Sequence, residues 1–285
     1  MKEHEIRPAE VFQEYLRLSA NDAEEYFQEN DRHQINCPAC NSSDLKDEFS
    51  KYGFDYVICI FCETLFLNPR PSEEAFDLFY KDSKSSRYWA EEFFPSIAEP
   101  RREKIFKPRV KRINDLCQNL DFYPRTIMDV GAGYGIFLEE WRNINPDSNI
   151  IGIEPSKQLA EICRQKDIKI IESMVEEVQG QDECSDLLVC FEVLEHVHSP
   201  QKFLTKLNEL IQPGGYIVLS TLTISGFDIQ LLWEKSDSIS PPHHINFFSI
   251  KGFQSIFESC GFKDINIFTP GLLDVDIIKN ALKKD

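Results

Sequence analysis

The chain has 285 residues, of which 42% are hydrophobic, and it carries a formal net charge of -17. This length allows one large domain or a domain with a small module, and the hydrophobic content suffices for a full core. The acidic balance disfavours a general nucleic-acid-binding surface, although a local basic patch stays open. We therefore predict a protein that acts on small molecules.

The start of the chain and its apolar runs bear on its location. No run reaches the length that spans a bilayer, and the sequence after Met1 lacks the apolar segment of a secretory signal. We expect a cytoplasmic protein with no membrane partner, in which the nine cysteines are thiols or metal ligands rather than disulfides. Five scattered cysteines are expected to be core or surface thiols: Cys117, Cys163, Cys184, Cys190 and Cys260.

Residues 1–35 are charged and have helical patterning. Apolar side chains recur there at roughly helical spacing, at Val11, Phe12, Tyr15, Leu16 and Leu18. We expect a helix that packs on a neighbouring element. Nothing in this segment indicates chemistry.

Two CxxC pairs come next in the chain. Cys37 and Cys40 are separated by an 18-residue spacer from Cys59 and Cys62. Each pair turns two sulfurs toward one point and two pairs complete a tetrahedron, so the spacing predicts a four-thiolate structural zinc site. The alternating run Phe54–Ile58 predicts a strand before the second pair, as in a zinc ribbon. A redox role would require a βαβ pattern around one pair, which the sequence lacks.

The sequence pattern of residues 71–122 predicts a helical linker or lid region. Ser72 is a candidate helix cap after a proline-containing turn. The aromatic stretch Tyr88–Pro95 is either core or a lid over the ligands of the following domain, and both interpretations stay open. The helix expected over Arg101–Leu120 is basic and amphipathic. Its Lys and Arg residues form a solvated face or contact an anionic acceptor.

From residue 123 onward, strand and helix patterns alternate along the chain. Alternation of this kind predicts an α/β fold, a doubly wound Rossmann-like and mainly parallel sheet with helices on both faces. A ligand then belongs at the carboxyl ends of the strands. We predict strands at 126–131, 149–154, 168–172, 186–191, 215–222 and 263–269, and helices at 135–145, 156–166, 199–211, 250–260 and from Leu272 to Lys284.

A glycine-rich turn follows the first of these strands. The run Ile127–Phe137 has the sequence IMDVGAGYGIF, with glycine at alternate positions. Such glycines let the backbone turn sharply and approach a ligand with no Cβ in the way, and they aim helix N–H groups at that ligand. A second apolar run ends in Glu154, about 20 residues on, where a doubly wound sheet places the acid that binds ribose hydroxyls. Together these features predict a loop for a nucleotide-type cofactor.

This combination resembles the class I S-adenosylmethionine-dependent methyltransferases. The loop is G-x-G-x-G rather than G-x-G-x-x-G, and Asp129 stands two positions before its first glycine. Downstream, Asp186–Val197 is similar to the family's fourth strand, and Leu210–Tyr216 to the Pro-Gly-Gly turn before its fifth. The resemblance covers roughly residues 105–270. It implies a methyltransferase whose cofactor is S-adenosyl-L-methionine.

The resemblance also implies roles for individual residues. Asp129 should orient the loop or meet the amino-acid part of the cofactor, and the glycines should let that part approach. Glu154 should accept hydrogen bonds from the ribose hydroxyls. Met174 stands where the family frequently has an aspartate, which leaves the adenine contacts to backbone groups. The implied cofactor-binding set is Asp129, Gly131, Gly133, Gly135, Glu154, Met174, Val175, Phe191 and Glu192.

Three polar residues, Glu192, Glu195 and His196, follow the predicted fourth strand. If the chain is helical there, offsets of three and four residues put all three on one face. They would then hold a second divalent metal, with a fourth ligand from His243 or His244. This resembles the metal-binding arrangement of ubiquinone-pathway O-methyltransferases and of small-RNA 3′-end methyltransferases, where the metal lowers the pKa of a hydroxyl. Alternatively, the pattern caps a helix and anchors a loop without metal.

The segment Thr223–Phe248 is too long for a plain connection, and we expect it to shape the acceptor pocket. Without a metal, methylation of oxygen or nitrogen needs a proton acceptor. His243 and His244 are the first candidates, and Glu195 and His196 complete the candidate catalytic set. The competing interpretation is that one of the two neighbouring histidines bonds to backbone and simply anchors the segment. Both interpretations stay open.

A zinc ribbon ahead of such a core resembles the deoxysugar C-methyltransferases and methyltransferases of surface-polysaccharide synthesis. We therefore predict a methyltransferase that acts on a hydroxyl of a sugar or nucleotide-linked sugar. Two alternatives stay open: an RNA methyltransferase, against which the acidic charge argues, and a cofactor-binding interaction module without turnover. The predicted segments are 1–35 (helical), 36–70 (zinc ribbon), 71–122 (linker or lid) and 123–285 (methyltransferase core).

Overall fold

The computed structural model describes residues 2–28, 31–179, 184–270 and 274–283. The chain forms two compact units. We call the first the ribbon unit and the second the sheet unit. The ribbon unit comprises Met1–Ile97, Leu194–Gln201 and Leu222–Asp285, and the sheet unit Ala98–Val193 and Lys202–Thr221. Among the described helices, none combines the length and the apolar character needed to cross a membrane.

The ribbon unit begins with two helices, α1 (Glu3–Ile6) and α2 (Ala9–Tyr26). In α2, Phe12 and Tyr15 are buried, as the helical spacing of apolar residues predicts. The packing helix expected near the start of the chain is therefore confirmed.

Short antiparallel strands follow these helices. Strands β2, β3 and β4 are neighbours in one sheet, and β1 pairs with β5. Tyr52 and Gly53 join β2 to β3, and both have positive φ, which a tight two-residue hairpin requires. The strand predicted before the second CxxC pair is confirmed as β3. The strands are β1 (Arg32–His33), β2 (Leu45–Lys51), β3 (Phe54–Cys59), β4 (Leu65–Leu67) and β5 (Arg70–Pro71).

A long helical region runs from residue 73 to residue 119. The Ser72 side chain caps its first helix by accepting a hydrogen bond from the Ala75 N–H. The rings of Trp89 and Phe93 stack at a centroid distance of 4.4 Å, and Tyr15 of α2 lies 5.1 Å from the Trp89 ring. Packing against α2 thus accounts for this aromatic stretch. The helices are α3 (Glu73–Asp82), α4 (Lys84–Tyr88), α5 (Phe94–Arg101) and α6 (Lys107–Asn119), with π-helical turns at 89–93 and 102–106.

The sheet unit contains five parallel strands in the order β10-β9-β6-β7-β8. The predicted doubly wound α/β fold is therefore confirmed. The strand order reverses between β6 and β9, and ligands of such sheets bind at the carboxyl ends of the strands beside this point. The elements are β6 (Thr126–Val130), α7 (Ile136–Ile144), β7 (Asn149–Ile153), α8 (Lys157–Arg164), β8 (Lys169–Ile171), β9 (Ser185–Phe191), α9 (Pro200–Leu210) and β10 (Ile211–Ser220).

The residues after β10 return to the sheet of the ribbon unit. Strand β11 pairs antiparallel with β4, with Asn246 opposite Phe66, so this sheet has the order β11-β4-β3-β2. The ribbon therefore includes a strand from the far end of the chain. The last elements are α10 (Phe227–Leu232), β11 (Asn246–Phe247), α11 (Ile250–Ser259) and α12 (Asp274–Ala281).

One predicted strand, 263–269, does not form. Residues 263–270 have no regular structure, and most of them are exposed, including Phe268. The prediction was wrong because an alternating pattern becomes a strand only where a neighbouring edge supplies hydrogen-bond partners. Helix α12 lies inside the predicted helix 272–284, of which residues 272, 273 and 284 fall outside the described residues.

Each unit has its own hydrophobic core. In the ribbon unit, Phe27, Phe79 and Phe247 pack among the buried side chains of β3 and β4. In the sheet unit, Trp141 of α7 packs with Ile127, on the central strand β6, and with other buried residues. The two candidate sites described below are each built on one of these cores.

Candidate functional site

The glycine loop after β6 is shaped for close approach of a ligand. Gly131, Gly133 and Gly135 have φ of 76°, 53° and 68°, a backbone region that residues other than glycine rarely adopt. A Cβ at Gly131 would lie 2.6 Å from a methyl carbon of Val193, whereas a Cβ at Gly133 would meet nothing within 4 Å. The second glycine therefore borders open space, and the other two are required by local packing.

Backbone hydrogen bonds fix this loop against the end of β7. The N–H groups of Gly131 and Ala132 both donate to the Ile153 carbonyl, at 2.9 and 3.1 Å. The Glu154 carboxylate accepts from the Gly133 N–H and from the Ser156 N–H, each at 2.9 Å. The acid predicted to bind ribose hydroxyls thus lies directly at the glycine loop.

Asp129, near the end of β6, is buried. Burial raises the pKa of Asp129 to about 8, although the positive charge of Arg109 opposes this shift and Glu154 adds to it. A buried carboxyl of this kind becomes a stable carboxylate when a cation is brought beside it. The α-ammonium and sulfonium groups of S-adenosylmethionine are cations, so the buried carboxyl fits that cofactor.

Glu192 does not lie on one helical face with Glu195 and His196, so that prediction was wrong. Its φ is 56°, outside the helical region. Its carboxylate accepts a hydrogen bond of 2.6 Å from the Ser220 hydroxyl and lies 3.5 Å from the Arg109 guanidinium. Glu192 therefore belongs to the sheet unit at the end of β9, where the family resemblance expects the methionine end of the cofactor.

Arg109 is a residue of this site that sequence reasoning missed. Its guanidinium lies 4.3 Å from the centre of the Phe191 ring, a cation–π distance. The sequence presents Arg109 as one of several basic residues on a solvated helix, and no spacing distinguishes it from its neighbours. Of the adenine-side positions, Val175 is buried and Met174 is 38% exposed. Their cofactor roles stay predictions.

The four cysteines of the two CxxC pairs converge in the ribbon unit. Their sulfurs all lie within 4.8 Å of one another. The Sγ–Sγ distances are 3.5 Å for Cys37 and Cys62 and 3.6 Å for Cys40 and Cys59. A tetrahedral zinc with Zn–S bonds of about 2.3 Å requires sulfurs about 3.8 Å apart. The observed arrangement fits such an ion.

Side chains of neighbouring residues and of α11 hydrogen-bond to the loop that carries the second cysteine pair. The Thr64 hydroxyl lies 3.3 Å from the Cys62 sulfur. Ser249 caps α11 by accepting from the Gly252 N–H at 2.9 Å, and its hydroxyl donates to the Cys62 carbonyl. A Cβ at Gly252 would lie 2.2 Å from the Thr64 oxygen. The second cysteine pair is therefore packed tightly against the start of a helix near the other end of the chain.

A second group of side chains with potential metal ligands converges in the ribbon unit, from Glu195, His196 and His244. One ligand atom of each lies within 4.8 Å of the other two. Glu195 is buried, and the imidazole rings of His196 and His244 are 4.8 Å apart. One carboxylate and two imidazoles form a donor set that binds divalent transition metals. We call these three residues the Glu-His-His cluster.

The imidazoles of this cluster are in the form that metals bind. Nδ1 of His244 lies 2.6 Å from the Ser238 carbonyl oxygen, which can only accept, so Nδ1 carries the proton and Nε2 the lone pair. Burial lowers the pKa of His196 to about 4, against the effect of a hydrogen bond to the His243 backbone. A neutral imidazole with a free lone pair can ligate a metal, and its low pKa makes His196 a weak base at pH 7.

His243 has a different environment from His244. Its Nε2 lies 3.0 Å from the Ser19 hydroxyl of α2, and its ring packs against Tyr15 and Phe79. Burial is the main reason that the pKa of His243 is well below its ordinary value. Of the two histidines that we considered as bases, His244 joins the Glu-His-His cluster. His243 lies in an aromatic environment and pairs with α2.

The parallel sheet of order β10-β9-β6-β7-β8, with its glycine loop and Glu154, is the fold of a class I S-adenosylmethionine-dependent methyltransferase. The sequence agrees: residues 98–267, more than half of the chain, match the family described as Methyltransferase domain. The chain belongs to this family.

Relatives and solved structures agree with this assignment. The chain is 30% identical over 133 residues to a ubiquinone biosynthesis O-methyltransferase of Vibrio atlanticus. The matched residues are 42% of this chain and 55% of that protein. It thus spans about half the length of that relative. It is 25% identical over 158 residues to an uncharacterized protein of Methanocaldococcus jannaschii, 55% of this chain and 74% of that one.

Among solved structures, the plantazolicin methyltransferase BpumL in complex with SAH is similar, with a TM-score of 0.54 and 15% identity. The similarity covers 74% of this chain and 89% of that chain. A putative O-methyltransferase from Nostoc punctiforme has a TM-score of 0.50 at 16% identity, covering 67% of this chain and 61% of that chain. At these identities the likeness establishes the fold.

Proposed function

We propose that this protein transfers a methyl group from S-adenosylmethionine to a hydroxyl of a small molecule, a sugar or nucleotide-linked sugar. The observation that carries the proposal is the convergence of Glu195, His196 and His244 within 4.8 Å. In the proposal these residues hold a divalent ion beside the acceptor hydroxyl. Such an ion, when bound, lowers the pKa of a hydroxyl that it contacts and so favours attack on an electrophilic methyl group.

In the proposal the sheet unit holds the cofactor. Asp129 accepts hydrogen bonds from its α-ammonium group, the open side of Gly133 admits its amino-acid end, and Glu154 binds the ribose. Arg109 is the cation best suited to the cofactor carboxylate, because it already lies against Phe191 and Glu192. These assignments extend the family's expected contacts to one residue, Arg109, that the sequence alone does not single out.

The four cysteines are proposed to hold one structural zinc ion. Four thiolates leave no open coordination position, so this ion would take no part in the chemistry. Its role is to fold the ribbon, whose sheet includes β11, which begins two residues after His244. The ribbon therefore supports the segment that carries one ligand of the Glu-His-His cluster.

The donor set and the charge support the proposed acceptor. Adjacent hydroxyls on a sugar ring can approach one ion together, as a single hydroxyl or an amine cannot. The net charge of -17 disfavours a polynucleotide. The Vibrio atlanticus relative is named for ubiquinone biosynthesis, so a catechol is the small molecule to compare with sugars, and an RNA 3′ end is the third class to include in the assay.

The test is elemental analysis of the purified protein combined with a methyl-transfer assay. We expect one zinc and a second divalent ion in the wild type, and loss of the second ion alone in Glu195→Gln and His244→Gln. Transfer to sugar or nucleotide-sugar hydroxyls should require the second ion and fall by at least about 100-fold in either variant. Cofactor binding, measured by calorimetry, should be unchanged.

His243→Gln is a matched control, because this neighbour of His244 is not a cluster ligand. It should keep the second ion. A wild type that holds zinc alone, or a second ion that survives Glu195→Gln, would overturn the metal role. Transfer to catechols or RNA with none to sugars would instead overturn only the acceptor class.

A further inference from the structure

The five residues Leu194–His198 carry two of the three cluster ligands, and their backbone is held by an unusual set of donors. Four of their five carbonyl oxygens accept hydrogen bonds from elsewhere in the ribbon unit. The Ile245 N–H donates to Glu195 at 2.8 Å. The Asn246 amide donates to Leu194 and Val197 at 3.3 and 2.8 Å. Arg70 donates to His198 at 2.6 Å.

Arg70 and Asn246 also bind each other. A guanidinium nitrogen of Arg70 donates to the amide oxygen of Asn246 at 2.7 Å. Arg70 is 2% exposed and Asn246 is fully buried. The two side chains thus form a closed clamp, with three hydrogen bonds to the segment 194–198 and one between themselves. We refer to this pair as the Arg-Asn clamp.

The clamp joins the two halves of the Glu-His-His cluster. Asn246 is two residues after His244, and it lies in β11, where pairing with Phe66 fixes its register. The Asn246 side chain also donates hydrogen bonds to the turn that carries Glu195 and His196. That turn is a single 3₁₀ helix of three residues, too short to fix its own orientation. The clamp thus adds to the Ile245 N–H bond to Glu195 in setting these ligands against His244.

Burial of the Arg70 guanidinium is unfavourable for folding. In the described part of the chain it makes no ion pair with a carboxylate, and its Nε has no hydrogen-bond partner. Burial lowers the pKa of Arg70 to about 9, with Tyr56 and Cys37 opposing the shift. A buried guanidinium without a carboxylate partner destabilises a core unless hydrogen bonds compensate for its lost solvation.

We infer that Arg70 and Asn246 are positioning residues, which hold Glu195 and His196 at the distance from His244 that a divalent ion requires. This inference rests on the proposed function, because it assigns the clamp to the proposed metal cluster. Groups that orient metal ligands typically change metal affinity by about 10–100-fold when altered.

The test uses the full-length, zinc-loaded protein and Mn²⁺ alone as the probe, since Mn²⁺ prefers nitrogen and oxygen donors to thiolates. Asn246→Asp keeps the size of the side chain but removes both amide donors from the Leu194 and Val197 carbonyls. We expect about 10–100-fold weaker Mn²⁺ binding by calorimetry. Binding of S-adenosylmethionine should be unchanged, and saturating Mn²⁺ should restore turnover.

Asn68→Asp is the matched control. Asn68 is 3% exposed and lies in the same unit, but its amide bonds to Gln34 and the Ile35 N–H rather than to the segment 194–198. It should lower the thermal midpoint of unfolding as Asn246→Asp does, with Mn²⁺ affinity retained. Equal Mn²⁺ affinity in the two variants would overturn the positioning role.

Two further outcomes are distinguishable from that one. If the wild type binds no Mn²⁺, the metal role in the proposed function fails, and the clamp inference fails with it. If Asn246→Asp does not fold, Arg70→Lys replaces it, because lysine keeps a buried cation but lacks the two separate nitrogens that donate to His198 and Asn246. Arg70→Lys should weaken Mn²⁺ binding and leave cofactor binding intact, and unchanged Mn²⁺ affinity would again reject the clamp.

Discussion

The hydroxyl of Tyr56 donates a hydrogen bond of 2.6 Å to the backbone carbonyl of His244. Tyr56 lies in β3, between the two CxxC pairs, and His244 precedes β11 in the same sheet. The Leu67 N–H of β4 also donates to the Ile245 carbonyl, at 3.0 Å. The ribbon and the segment that carries His244 are therefore one hydrogen-bonded structure, and the ribbon should determine where this imidazole lies.

Tyr56→Phe tests this dependence. The change leaves a buried carbonyl without its donor, which should lower the free energy of unfolding by about 1–3 kcal/mol. It should also weaken binding of the second divalent ion, because the His244 backbone loses its anchor. Denaturant unfolding and Mn²⁺ titration measure the two effects. Tyr52→Phe, on an exposed tyrosine of the same ribbon, should change neither, and equal behaviour of both variants would refute the dependence.

Replacing a cysteine ligand should remove the structural ion. Cys59→Ser deletes one of four converging sulfurs, so zinc content should fall from one per chain to nearly none, and the ribbon unit should unfold at lower temperature. Mass-spectrometric metal analysis and calorimetric melting measure this. Cys117→Ser, in the sheet unit and outside both metal clusters, should keep its zinc. Full zinc occupancy in Cys59→Ser would show that the cysteine set is not the zinc site.

Local patterns in the sequence were sufficient for the features that depend on neighbouring residues. The CxxC spacing predicted the convergence of Cys37, Cys40, Cys59 and Cys62, because each pair is a short turn. The alternation of strands and helices predicted the parallel sheet, and the glycine spacing predicted the loop after β6. Each of these features depends on residues close in the chain or on a repeated pattern.

The Glu-His-His cluster could be predicted only in part. His243 and His244 were both candidates, and the sequence could not choose between them, since His243 pairs with Ser19, which lies 224 residues away in the chain. Glu192 was grouped with Glu195 by an assumed helix, which the positive φ of Glu192 excludes. The pairing of β11 with β4 joins residues about 180 positions apart. No local pattern carries that information.

Gly133→Ala separates backbone strain from ligand space. A Cβ at Gly133 meets no atom within 4 Å, and the same is true of Gly214, which also has positive φ. Each alanine should therefore cost about 1–2 kcal/mol of unfolding free energy through its left-handed backbone. Only Gly133→Ala should fill the space into which the cofactor is proposed to fit. Calorimetric titration should give at least about tenfold weaker S-adenosylmethionine binding for Gly133→Ala and wild-type binding for Gly214→Ala.

If both variants bind the cofactor as the wild type does, the glycine loop does not border the cofactor. If both bind it more weakly, the loss comes from strain in the sheet unit rather than from the loop. Chemical unfolding of both proteins checks that the strain is comparable.

Asp129 should couple cofactor binding to pH. Burial raises the pKa of this carboxyl to about 8, with Arg109 opposing and Glu154 adding to the shift. We therefore expect this carboxyl to be mostly protonated in the free protein at pH 7, and the positive charge of the cofactor to favour release of the proton. Below pH 8, binding must expel this proton, so affinity should fall by up to about tenfold for each pH unit, and it should level off above pH 8.

Titration of S-adenosylmethionine at pH 6, 7 and 8 measures the effect, and repeating it in two buffers of different ionisation enthalpy counts the released proton directly. In Asp129→Asn the amide cannot ionise, so binding should be weak and nearly independent of pH over this range. Asp186→Asn is the control, because this aspartate, at the amino end of β9, accepts the Arg125 and Thr126 N–H groups instead. It should keep the wild-type pH profile. A wild type whose affinity is constant from pH 6 to 8 would mean that Asp129 is already ionised before the cofactor arrives.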